Sequence, residues 1–99
     1  MTYNPPAPTN PITNYVLHQN YPNPFNPTTT IRYELPKDGI VSIEVFDILG
    51  QKIRTLLNEL KKADRYELEF NGDNLSSGVY LYSIRVNDFI ETKKMILLK

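Results

Sequence analysis

From Ile31 to the end of the chain, apolar residues tend to recur at every second position, a period that suits strands and not helices. Ile31, Tyr33 and Leu35 alternate with Arg32 and Glu34 before Pro36 ends the run. Val41, Ile43 and Val45 alternate with Ser42 and Glu44, and Asp47-Ile48-Leu49-Gly50 supplies a turn. Tyr66, Leu68 and Phe70 alternate with Glu67 and Glu69 until Asn71-Gly72-Asp73 breaks the pattern. Gly78 to Val86 sets Tyr80, Tyr82, Ile84 and Val86 on one face, Asn87-Asp88 forms a two-residue hairpin turn, and Phe89 to Leu98 is the last strand. With Tyr15 to Gln19 and Gln51 to Leu57 added, the chain holds about seven short strands at the spacing of a sandwich. The expected fold is all-β, an antiparallel β-sandwich.

One stretch reads two ways. Residues 48–62 place apolar side chains at 49, 53, 56, 57 and 60, which also fits a 3.6-residue period. A lone helix in a meander of strands needs its own place on the core, and Gly50 after Asp47 resembles a hairpin. A strand is therefore expected through Leu57, with Ile53 and Leu57 as anchors, followed by a loop through Lys61-Lys62-Ala63-Asp64.

Charge divides the chain. All 11 Lys+Arg and all 11 Asp+Glu lie from Arg32 onward, while residues 1–31 hold every proline except Pro36. Residues 1–14 read as a Pro/Thr/Asn-rich linker, because prolines 5, 6, 8 and 11 fix φ and remove backbone donors. Such a leader tethers the domain, residues 15–99, to something upstream. The balanced charge gives no field to draw in nucleic acid or an anionic membrane. No apolar run approaches the ~20 residues that span a bilayer. The start lacks the basic end and apolar core of a signal peptide, so no export signal is expected there.

Chemistry-bearing groups are sparse. With no cysteine and one histidine, thiol nucleophiles and multi-histidine metal sites are excluded. His18 is the natural base, yet Ser76, Ser77 and Ser83 stand in no strained elbow that would make one a nucleophile. Glu67 and Glu69 share the solvated face of a strand. Asp38, Asp47, Asp73 and Asp88 fall in turns, where such side chains cap their own backbone, and their spacing matches no calcium loop. Lys61-Lys62 and Lys93-Lys94 are isolated pairs, and alternating aromatics at 80 and 82 suit a core better than a base-stacking platform. No catalytic, cofactor or metal site is assigned.

The segment Gln19 to Thr29 departs from this plain pattern. Tyr21-Pro22-Asn23-Pro24-Phe25-Asn26-Pro27 is rigid and turn-forming, and Tyr21 and Phe25 are expected to pin it onto the sandwich as a crossover.

The string QNYPNPFNPTTTIRYELP, then V-x-I-x-V-F-D-I-L-G with Asp47 and Gly50, then F-N-G-x-x-L-S-S-G-V-Y, and a terminal TKKMILLK together resemble the type A C-terminal sorting domain of the type IX secretion system. The resemblance spans about residues 15–99. It implies an immunoglobulin-like sandwich that addresses an upstream cargo protein to the outer-membrane translocon, for release or surface attachment. It also implies removal by a surface sortase-like peptidase, with cleavage roughly at residues 9–15. Recognition residues carried over are Gly78, Val79 and Tyr80 with Lys93, Lys94, Met95, Ile96, Leu97, Leu98 and Lys99. The last strand is a candidate edge whose unpaired backbone groups suit augmentation by a partner, with Lys93 and Lys94 on opposite faces. A structural or adhesive module appended to an extracellular enzyme, with carbohydrate binding as one form of adhesion, is the alternative.

Overall fold

The computed structural model describes residues 11–99, which form seven strands and no helix. They are β1 (Val16–Leu17), β2 (Thr28–Leu35), β3 (Gly39–Asp47), β4 (Lys52–Lys61), β5 (Asp64–Asn71), β6 (Gly78–Val86) and β7 (Phe89–Leu97). All pair antiparallel, in a three-stranded sheet β1-β2-β5 and a four-stranded sheet β4-β3-β6-β7. This is the strand order of an immunoglobulin-like sandwich, except that β4 lies beside β3 and not in the sheet of β5. Most of the stretch expected as a linker, residues 1–10, lies outside the described residues, as does the start of the expected cleavage region.

Period-two alternation delivers the core. Ile31, Tyr33 and Leu35 of β2 and Phe70 of β5 meet Val41, Ile43, Val45, Tyr82, Ile84, Val86, Met95 and Leu97 of the opposite sheet, all at most 2% exposed. Each large side chain so buried contributes roughly 1.5–3 kcal/mol, which a cysteine-free chain needs many times over. Tyr80 opens β6 by bonding its own approach: its hydroxyl donates to the Ser76 carbonyl at 2.6 Å, the tyrosine corner of such sandwiches.

Tyr82 joins the two sheets. Its ring is fully buried on β6, while its hydroxyl accepts the Asn20 N–H at 2.8 Å and donates to the His18 carbonyl at 2.7 Å. Both partners lie just after β1, in the other sheet. Asn20 is itself buried, with its side chain donating to Thr29 Oγ1 and to the Pro22 carbonyl. The sandwich thus carries a satisfied polar link between its sheets.

Several expectations are corrected. Residues 48–62 hold a strand and no helix, as expected, but β4 continues past Leu57 to Lys61, leaving only a short turn before β5 in place of the expected loop. Its pairing with β3 slips twice: Ile43 opposes Leu57 but Glu44 opposes Thr55, and Val45 opposes Arg54 but Phe46 opposes Lys52. Leu56 and Ile53 are the extra residues of these two bulges. Two insertions into a period of two create the helix-like spacing of the sequence. They also turn Ile53 outward, 36% exposed, so Leu56 joins Leu57 on the core in its place. Tyr21 is no anchor either, at 75% exposed. Its backbone pairs with Thr30, an outward position between buried Thr29 and Ile31, and cross-strand partners share a face.

The turn after β3 shows why Asp47 and Gly50 occur together. Asp47 Oδ1 accepts the N–H groups of Leu49 and Gln51, both at 2.9 Å, and Gly50 takes φ 87°, a left-handed conformation that favours glycine.

Replacing Tyr82 by Phe orphans the buried Asn20 N–H and is expected to cost about 1–3 kcal/mol in urea unfolding. Burial raises the phenols of Tyr33 and Tyr82 from 10.0 to about 12, in Tyr82 against the Asn20 hydrogen bond, which favours the phenolate. The unfolded chain ionises these groups near 10.0, so their stabilisation is complete below pH 10 and is lost as pH rises toward 12. Denaturation midpoints should fall across that window, and less steeply in the Tyr82→Phe variant.

Candidate functional site

β7 is one edge of the four-stranded sheet, and half of that edge is already taken. After the first strand the chain crosses between the sheets through Tyr21 to Pro27, with cis bonds before Pro22, Pro24 and Pro27. There it runs parallel to β7 for one bridge, Phe25 to Leu97. The Phe25 N–H donates to the Ile96 carbonyl at 2.9 Å, and the Phe25 carbonyl accepts the Leu98 N–H at 3.0 Å. Asn23 Oδ1 accepts the Ile96 N–H at 2.9 Å, and Gln19 Nε2 donates to the Lys94 carbonyl at 2.7 Å. The segment is a strap laid along the outer edge of the last strand.

Phe25 holds the strap down. It is 2% exposed and meets Phe70 edge-on, ring centroids 6.0 Å apart. Gly72 makes room for it: a Cβ there would sit 3.1 Å from Leu97 Cδ2 and 3.4 Å from Phe25 Cε2. The Gly72 N–H donates to the Pro27 carbonyl at 2.7 Å, while Asn71 Oδ1 accepts the Asp73 N–H. The proline block, the Asn-Gly turn and the terminal strand are therefore three sides of one construction.

Beyond β7 the tail is fastened. The Lys99 N–H donates to Ser77 Oγ at 2.9 Å, and its ammonium donates to the Asp73 carbonyl. Of the residues carried over for recognition, Tyr80, Met95 and Leu97 are buried in the core. Gly78, Val79, Lys93 and Ile96 are half-buried, and Lys94, Leu98 and Lys99 are exposed. Lys93 and Lys94 take opposite faces, Lys93 on the side of Met95 and Leu97.

Other polar groups pair with one another. On the outer face of the three-stranded sheet, His18 Nε2 lies 2.6 Å from Glu34 Oε2, and Arg65 Nε reaches Glu34 Oε1 at 3.5 Å. They line a shallow groove with Arg32, Tyr33, Tyr66 and Glu67 that contains no serine or threonine. Among the described residues no three metal-ligating side chains gather at one point. Glu67 and Glu69 are solvated, and Arg32 pairs with Glu67.

Residues 19–98, from the strap through the fastened tail, match the family model of the secretion system C-terminal sorting domain. The chain belongs to that family. No curated protein and no solved structure matches it. As a sorting domain it is a C-terminal signal for type IX secretion, which places the proteins carrying it at the cell surface or in the extracellular space. No helix among its described residues is long and apolar enough to cross a membrane.

The sequence of the sorting domain marked Asn23 as part of the rigid block but gave no sign of the other groups that fasten the strap, Gln19, Asn20, Thr29 and Tyr82. Their partners lie up to 75 residues away, so only Asn23 carried a local signal, its place in the proline block. Replacing Asn23 by Ala is expected to speed amide exchange at Ile96 while leaving Val45 and Ile84 protected. Phe25→Ala should cost about 3–5 kcal/mol and free Leu98 as well.

Proposed function

We propose that the type IX translocon reads this domain folded, at the end of the sandwich where β6 begins and β7 ends. The observation that carries the reading is the fastening of the tail: Leu98 is bonded to Phe25, and Lys99 to Ser77 and Asp73. A peptide tied down at both residues presents a fixed surface. On this reading Gly78, Val79, Lys93, Lys94, Ile96, Leu98 and Lys99 meet the translocon. Tyr80, Met95 and Leu97 act through the fold that positions them.

The remaining assignments follow from the same role. Residues 1–14 tether an upstream cargo domain, and a sortase-like peptidase cuts at about residues 9–15 after export. The domain performs no catalytic step of its own, consistent with a family that is non-catalytic in general.

The test uses the chain fused behind a periplasmically exported reporter, in a host with this secretion system. Removing residues 95–99 would delete Met95 and Leu97 from the core and confound unfolding with lost recognition. Removing only Leu98 and Lys99 leaves every core residue in place. The intact fusion is expected outside the cell, and the two-residue truncation in the periplasm with a folded domain. Undiminished export of the truncation refutes the role given to the tail. Periplasmic retention of the intact, folded fusion refutes the sorting role and favours a structural module.

A further inference from the structure

The two outer faces of the sandwich differ in kind. On the three-stranded sheet, cross-strand partners Arg32 and Glu67 are ion-paired at 3.5 Å, as are Arg65 and Glu34. That face satisfies itself in water. On the four-stranded sheet, at the end nearest the chain terminus, the outward positions are apolar. Phe46 stands opposite Leu81, and Val79 opposite Ile96. All four are half-buried, while the alternate positions beside them, Val45, Tyr80, Tyr82, Met95 and Leu97, fill the core. Ile48 and Leu49 project from the adjoining turn at 69% and 83% exposure. An antiparallel sheet facing water is polar on its outer side, and a contiguous apolar patch there marks an interaction surface.

The charges around the patch have one sign to spare. The row Lys94–Leu81–Phe46–Lys52 crosses all four strands in register. Lys52 is held by Glu44 at 3.1 Å. Lys94, and Arg85 farther along the face, form no ion pair among the described residues. Glu44 is the only carboxylate at the outward register positions of this sheet, and it is already engaged.

We infer that this face docks a folded protein of the secretion apparatus whose contact patch is apolar at its centre and carries carboxylate opposite Lys94. The inference rests on the sorting role and locates its surface on a sheet face, beyond the tail itself. A bilayer is a poorer occupant, because membrane-seeking elements bury apolar groups ~5–10 Å deep, and four of these six side chains lie flush in a sheet. A second copy is poorer still. A two-fold contact would oppose Lys94 and Arg85 to a face with no free carboxylate.

The experiment compares reporter fusions of the whole chain in a type IX host. One carries Phe46→Thr, Val79→Thr and Leu81→Thr, which keep strand-forming side chains while removing the patch. A second carries Lys94→Glu, which touches nothing in the core. A control carries Arg32→Thr with Glu67→Thr on the other face. Urea midpoints of the isolated chains establish folding.

Export of the first two is expected to fall by at least about tenfold, the loss produced by removing hot-spot contacts, with the control unchanged. If the triple variant does not fold, Lys94→Glu alone decides. Wild-type export by a folded patch variant overturns the inference and leaves the sorting role standing. Failure of the unsubstituted fusion overturns the sorting role itself. Co-sedimentation with phosphatidylserine vesicles, or dimerisation in sedimentation equilibrium, overturns it too if the triple variant abolishes either, since the face then belongs to lipid or to a second copy.

Discussion

Phe25 is the contact on which the two ends of this domain depend. Its ring fills the space between Phe70, Leu97 and the bare Cα of Gly72, and its backbone bonds Ile96 and Leu98. A strap of alternating prolines has few donors with which to build a sheet ladder. One deeply buried aromatic therefore fixes it where several hydrogen bonds otherwise would. The geometry also explains why an uncharged segment serves here, because Phe25 enters the core and Asn20 and Thr29 lie buried behind it.

The same economy holds in the middle of the sandwich. With no cysteine, the sheets are joined by packing and by the Tyr82 hydroxyl, which is both donor and acceptor to the chain after β1. Such a link tolerates no missing partner. A buried N–H left without one costs about as much as several ordinary hydrogen bonds contribute. Tyr80 and Tyr82 thus divide two tasks on one strand, the first ordering the approach to β6 and the second tying β6 across the core.

Strands with strict alternation were legible from the sequence because a half-buried strand needs only local information. Gly78 to Val86 and the Asn87-Asp88 turn needed no correction, and Asn87 takes the left-handed φ of 53° that such a turn calls for. β4 was harder for a definable reason: bulges at Ile53 and Leu56 reset the parity, and parity is the only signal a strand writes. Tyr21 failed because size and apolarity do not tell which face a residue takes. The strap's partners, 62 to 75 residues distant in sequence, left no trace in local pattern. The outward apolar patch did leave one. Gly78 to Val86 is apolar at both parities through Leu81 and alternates cleanly only from Ser83 onward.

An edge strand has to avoid pairing with the wrong chain and yet, in a sorting signal, be available to the right one. β7 meets the first demand along its length. Its terminal half is sealed by Gln19, Asn23 and Phe25. By the two-residue alternation of an antiparallel pair, Ile90 and Thr92 still aim their backbone groups outward, next to Lys94, a side chain that discourages edge-to-edge association. Strand addition at the sealed half would require the strap to leave, and with it the Phe25 ring, at about the cost of emptying a core site. A partner that engages this end of the intact domain must therefore approach the face of the four-stranded sheet or the fastened tail. The strap that protects the edge thus directs recognition to side chains and away from backbone.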